Sequence, residues 1–162
     1  MISLRKGFLT AMTQKKANPI AISISTLYRK NAIWHDSHTE EYGVTSAQIP
    51  VVICVCCNKR ISQHELCLEM SLDKSVIART TASLIKEGYL ARDGKSPDKK
   101  SYMLIPTEKA WEVFPKMMAN NRLWIETMTA GMTPEEIDML SNLLSRAADN
   151  VKDITNKTIL QK

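Results

Sequence analysis

The chain is poor in residues that interrupt helices: its 162 residues include only five glycines and six prolines. That disfavours a turn-rich all-β fold and favours helix. It also lacks any apolar run near the roughly 20 residues a membrane span needs; the apolar stretch 49–57 is too short and reads as a buried helix. A secretory leader is not evident, because Arg5, Lys6 and Gly7 interrupt the segment from Leu4 to Met12. The expectation is a cytoplasmic protein, with either Met1 or Met12 as its start. Internal repeats and low-complexity stretches are absent. What is there is ordinary for a globular chain, with 44% hydrophobic and 24% charged residues. The length allows one domain with a sizeable core, or two small halves sharing one.

Charge is distributed unevenly. The net charge is +5. Arg5, Lys6, Lys15 and Lys16 give residues 1–18 a charge of +4, and seven basic against four acidic side chains give residues 73–106 a charge of +3. The two remaining stretches are each at −1. Positive charge concentrated on one arm and one central segment is the footprint expected of a polyanion-binding element, though a solvated surface also carries such charge.

Local signals divide the chain into helices. Residues 1–18 read as a flexible basic arm. Asn18-Pro19 opens a helix to about Glu41, ended by Gly43. Thr45 and Gln48 have capping-box spacing for the apolar helix through Cys57, with Pro50 in its first turn. A second capping box, Ser62 and Glu65, with Ile61 and Leu66 at staple spacing, starts a short helix over 62–70. Ser71-Leu72 makes a turn, and Asp73 caps a helix over 73–87 that ends at Gly88. Its inner edge reads as Val76 or Ile77, Thr80 and Leu84. Two β-prone runs, Tyr89 to Arg92 and Ser101 to Ile105, flank the lysine-rich turn 93–100. Thr107 caps a long helix to about Met128, and Thr133-Pro134-Glu135-Glu136 opens a last one. Ile137, Leu140, Leu143, Leu144 and Ala147 form the apolar stripe of that last helix.

The reading is therefore a mainly α fold with a small β-hairpin wing: a winged helix-turn-helix domain plus a helical region. A helix-turn-helix with a basic wing lays its second helix in the major groove of DNA. Lys74, Ser75, Val76, Arg79, Thr80 and Ser83 line the candidate reading helix, and Arg79 has the fork suited to a guanine edge. Ser62, Gln63 and His64 start the supporting helix, whose first-turn N–H groups suit a phosphate. Arg92, Lys95, Lys99 and Lys100 supply the wing. Any one of these is also an ordinary solvated side chain.

The order and spacing of these pieces resemble the MarR family of bacterial transcription regulators over about residues 19–150. The stretches that carry the likeness are Ser62-Gln-His-Glu-Leu-Cys, Leu72-Asp-Lys-Ser-Val-Ile-Ala-Arg, and Arg92 with Pro97-Asp-Lys-Lys and Thr107-Glu-Lys-Ala. Two departures stand out. Lys100 lies where the family usually has an arginine braced by an acid such as Asp98, and lysine lacks the planar fork. Ser71 lies where the family commonly has glycine.

The resemblance makes the helical region a helical dimerisation domain: it implies a homodimer joined through residues 19–43 and 107–162, with residues 44–106 as the DNA-binding unit. It implies a pseudo-palindromic double-stranded operator, and a repressor released by a small ligand, an aromatic or phenolic effector being one class. Tyr28, Trp34 and Trp111, with Trp124, line an aromatic pocket or serve as packing. Two alternatives stay open: a winged-helix protein-interaction module, for which Leu68 is an unusually apolar supporting-helix residue, and a cysteine-based redox sensor. Cys54, Cys56, Cys57 and Cys67 lie on apolar helix surfaces, where free cysteine is commonly packing. His35, His38 and Glu41 have weak metal-ligand spacing with no thiolate beside them, and no metal or other cofactor is expected. Cys67 and His64 lack the acid and oxyanion device of a cysteine enzyme, so no enzymatic activity is expected.

Overall fold

The computed structural model describes residues 18–95, 102–152 and 154. Helix α1 spans Pro19–Thr39, with the Asn18 side chain accepting from the Ile20 N–H, and a 3₁₀ turn at Glu40–Tyr42 ends at Gly43 in the left-handed region. Helix α2 spans Ile49–Asn58. The Thr45–Gln48 pair forms as a bonded turn, with the Thr45 N–H donating to Gln48 Oε1 at 2.8 Å. It sits just ahead of α2, whose first residue is Ile49 rather than one near Ser46. Pro50 then falls in the first turn, where no N–H is required.

The strand β1 is two residues, Ile61–Ser62, followed directly by α3 at Gln63–Met70. Both halves of the Ser62–Glu65 capping box are made. Ser71 takes φ 50, so a non-glycine residue occupies a left-handed position. Helix α4 spans Lys74–Lys86; Asp73 stands at its N-cap but its side chain makes no capping bond. Strands β2 (Leu90–Lys95) and β3 (Tyr102–Pro106) form the wing, with an irregular register between Arg92 and Lys95. The sheet order is β1-β3-β2, all antiparallel, with Ile61 opposite Leu104. Helix α5 spans Glu108–Met128 and α6 Pro134–Val151, the latter opened by a complete Thr133–Glu136 capping box.

The core lies between α2, α3, α4, the sheet and the first half of α5. Val51, Val52, Val55, Leu66, Ile77, Leu84, Leu104 and Met117 are fully or almost fully buried. The uniform apolarity of α2 follows from this: elements pack on it from several sides. On α4 the inward residues are Ile77, Thr81 and Leu84. Thr81, not Thr80, is therefore the buried threonine, its hydroxyl donating to the Ile77 carbonyl at 2.8 Å. Helix α6 has no buried residue among the described residues, and Leu143 and Leu144 are 53% and 43% exposed. No helix among the described residues is long and apolar enough to cross a membrane.

Candidate nucleic-acid interface

The inner row Ile77, Thr81 and Leu84 fixes the rotation of α4 on the core, and at about 100° per residue the opposite row is Ser75, Arg79, Ala82 and Lys86. All four are exposed. Lys74 is exposed at the first turn, while Val76 and Thr80 are half-buried on the flank. Ser83 lies half-buried on the flank of the outer row, about 60° round the helix: its hydroxyl donates to Glu87 Oε1 at 2.7 Å and lies 3.3 Å from Gln48 Nε2. The polarity that made Ser83 a candidate contact is committed inside the protein. Lys86 was missed by sequence reading. It lies two turns beyond Arg79 on the same face, about 10 Å along the axis, and that seven-residue spacing was the available signal.

The supporting helix places its three candidates differently. Ser62 is buried, its hydroxyl accepting from the Glu65 N–H and its own N–H donating to Glu65 Oε2 at 2.8 Å. It shapes the helix end rather than presenting a side chain. Gln63 is half-buried, and its Nε2 donates to Thr81 Oγ1 at 2.8 Å, tying α3 to α4 across the turn. His64 is exposed. The N–H groups of Gln63 and His64 have no intrahelical acceptor at this position in the first turn.

At the wing root, the Arg92 guanidinium stands over the Tyr102 ring, 4.3 Å from its centroid. A brace not foreseen from the sequence joins Arg60 to Asp93: Nε donates to Oδ2 at 2.6 Å, and a second nitrogen reaches the Asp93 carbonyl at 3.3 Å. Both side chains are half exposed, so the pair is worth no more than about 1 kcal/mol, but its two contacts, one to the carboxylate and one to the backbone, tie the hairpin to the residue before β1. Lys99 and Lys100, with Asp98, lie outside the described residues, as does the side chain of Lys95.

The aromatic candidates are not gathered within one chain. Trp34 packs on Trp124 and His38, and its indole N–H donates to Asn120 Oδ1 at 2.8 Å. Trp111 makes an edge contact with Phe114, and nine residues of helix, about 13 Å, separate it from Asn120. Tyr28 is 78% exposed. Three of the four thiols, Cys54, Cys56 and Cys67, are held protonated, while Cys57 is exposed. Burial and the Glu69 carboxylate that accepts from its Sγ push Cys54 up to about 12, burial pushes Cys56 to about 11, and burial also raises Cys67.

These parts define a winged helix-turn-helix protein with an exposed reading helix, a capped supporting helix and a braced hairpin. The chain is similar to the MarR family of transcription regulators. It is 29% identical to a MarR transcriptional regulator from Methanosarcina mazei Go1, whose crystal structure superposes with a TM-score of 0.74 over 84% of this chain and 98% of that one. A MarR family regulator from Listeria monocytogenes, solved in complex with a 26mer DNA, shares the fold at 24% identity, with a TM-score of 0.78 over 85% and 91% of the two chains. The HTH-type transcriptional regulator YybA of Bacillus subtilis is 26% identical over 113 residues, 70% of this chain and 75% of its own length. No protein-family model matches the chain. The relatives are transcription regulators, not enzymes.

Proposed function

We propose that the chain is a homodimeric, sequence-specific DNA-binding transcription regulator, a repressor released by a small ligand. The observation that carries the DNA reading is the outer row of α4. A helix held by three buried residues presents Ser75, Arg79 and Lys86 outward, beside a basic wing. Arg79 reads a base edge, and Lys74, His64, Lys86 and Arg92 hold phosphates, with the lysines of the wing tip as further contacts. Residues 44–106 form the reading unit, and the Listeria monocytogenes relative crystallised on DNA supports that use of the fold.

Homodimerisation is supported by the apolar side chains of α1 and α6 that one chain leaves exposed, among them Ile20, Ile24, Met139, Leu143 and Leu144. A twofold pairing of these helices sets two copies of α4 about one helical turn of DNA apart, on a pseudo-palindromic operator. An effector pocket then belongs between the reading units and the paired helices, with aromatic residues supplied from both copies.

The test is fluorescence anisotropy with a duplex taken from upstream of the protein's own gene. Wild type binds it with a steep loss on adding salt. Arg79→Ala loses about 1–3 kcal/mol of preference for that duplex over a scrambled one. Equal wild-type binding to both duplexes sinks the reading. Exposed Leu68 and Leu72 at the turn favour a second reading, a protein-interaction module, which the absence of any DNA affinity in wild type, unchanged in Arg79→Ala, would support.

A further inference from the structure

The C-terminal turn of α4 is held from two directions by side chains outside the outer row. Gln48, buried at the entrance to α2, points its Nε2 at Glu87, 3.2 Å from each carboxylate oxygen, and at Ser83 Oγ, 3.3 Å away. Its Oε1 accepts from both the N–H and the hydroxyl of Thr45, at 2.8 and 3.1 Å. With acceptors on one side and donors on the other, the amide has a single satisfying orientation. Thr45 lies in the loop after α1, and the next residue, Ser46, donates its N–H to Asp36 Oδ1 of α1 at 2.8 Å. A chain of hydrogen bonds thus runs from α1 to the end of α4.

The second hold comes from α5. Lys109 donates from Nζ to the Glu87 carbonyl at 2.8 Å while lying 4.1 Å from the Tyr89 ring centroid. The Thr107 hydroxyl donates to the Gly88 carbonyl at 2.7 Å. Ser83 and Glu87 are roughly 60–100° round α4 from the row of Ser75, Arg79 and Lys86, so neither competes with a groove contact.

We propose that Gln48 and Glu87 are positioning residues, which set the angle of the reading helix against α1 and α5 and thereby its affinity for DNA. The inference rests on the DNA-binding reading above. A carboxylate that, among the described residues, accepts from an amide and a hydroxyl and forms no ion pair is selective about its partner: an amide at position 48 donates to it, and a second carboxylate repels it. The contact therefore transmits the placement of α1 to the end of α4 without touching DNA.

The experiment uses the full-length protein in two arms. In hydrogen exchange without DNA, Gln48→Glu is expected to speed exchange in the peptide covering residues 83–90. On the upstream duplex, the same substitution is expected to weaken binding on the order of tenfold, the effect of one lost charge-assisted bond. The swap Gln48→Glu with Glu87→Gln returns an amide facing a carboxylate and is expected to restore both readings. If Gln48→Glu fails to fold, the swap and Glu87→Gln alone carry the test, the swap binding more tightly than Glu87→Gln. Wild-type exchange and affinity in Gln48→Glu overturn the proposal, as does a swap that regains thermal stability without regaining affinity. Wild type that does not prefer the upstream duplex overturns the DNA-binding reading instead, an outcome visible before any variant is made.

Discussion

In the lobe built around α3 and α4, Leu66, Ile77 and Leu84 are wholly buried, whereas along α6 Leu143 and Leu144 stay about half exposed and α1 shows Ile20, Ile24 and Ile33 to solvent. The residue types are the same, so the difference lies in what each region has to pack against. The lobe closes on itself: α2 is enclosed by α3, the sheet and α5, and each element buries its apolar face within the chain. Helices α1 and α6 also carry apolar side chains, and among the described residues none covers the exposed ones. An aliphatic stripe of that size left in water is an interface signal rather than scattered surface apolarity. One region is self-sufficient, and the other leaves apolar side chains uncovered, as the proposed homodimer requires.

The sharpest way to break that comparison is to damage the self-sufficient half. Leu66→Ala removes a fully buried side chain from α3 and is expected to cost about 2–5 kcal/mol, measured by urea unfolding followed by circular dichroism. Because the lobe has one core, the loss should appear as a single cooperative transition moved to lower denaturant. A loss under about 1 kcal/mol would show that the core tolerates collapse at this point, and the contrast with α6 would weaken.

The complementary experiment strikes the half left open. Leu143→Lys with Leu144→Lys places two charges on the exposed stripe of α6. Among the described residues nothing covers that stripe, so helix content is expected to persist while the self-association proposed above weakens at least about 100-fold, roughly 2.7 kcal/mol. Sedimentation equilibrium reads the dimer constant directly. A variant that unfolds instead would place α6 inside the protomer's own core, and one that still dimerises would move the interface elsewhere.

How much of this was legible in the sequence follows the same division. Capping boxes at Ser62–Glu65 and Thr133–Glu136, and the left-handed Gly43 and Gly88, were readable because each is decided within four residues. The two-residue strand β1 was not, because its partner β3 lies some forty residues on and nothing local requires the pairing. The inner face of α4 was read one residue out at Thr80, since a threonine at either position satisfies the period until the packed partners choose. Ser83 entered the candidate contacts on its polarity, and Lys86 was passed over because contacts were sought in the N-terminal half of the helix. Arg79 stands opposite the observed inner row of Ile77, Thr81 and Leu84. The Gln48–Glu87 contact joins residues 39 apart and leaves no local trace.

Ser71 tests a smaller difference within the lobe. It holds φ 50 at the end of α3, where its N–H bonds the Leu68 carbonyl at 3.2 Å. An L-residue there carries strain of about 1–2 kcal/mol, partly offset because glycine has more freedom to lose on folding. Ser71→Gly is therefore expected to stabilise by under about 1 kcal/mol, with unchanged DNA binding. Destabilisation in the urea midpoint would mean the serine side chain contributes more than its backbone costs.

The smallest expected effect lies at the seam between the two regions, at His35. It is buried on α1 against α5, with Nδ1 3.4 Å from Asn120 Nδ2. Burial first, then the neighbouring His38, lowers its pKa, and Asp36 opposes them more weakly. The folded protein therefore holds the neutral ring more tightly than the unfolded chain does. Stability from this residue is fully present above about pH 6.5, the unfolded value, and falls with acidification until the lowered folded pKa is reached, because the unfolded state takes up the proton first. His35→Asn cannot titrate, so its melting temperature is expected to fall less than wild type's between pH 7 and pH 5.5. Differential scanning fluorimetry of the two proteins reads that difference. Parallel pH profiles would show that the ring is charged or freely solvated in the folded protein, and that the seam is looser than the packing of Trp34 on Trp124 beside it implies.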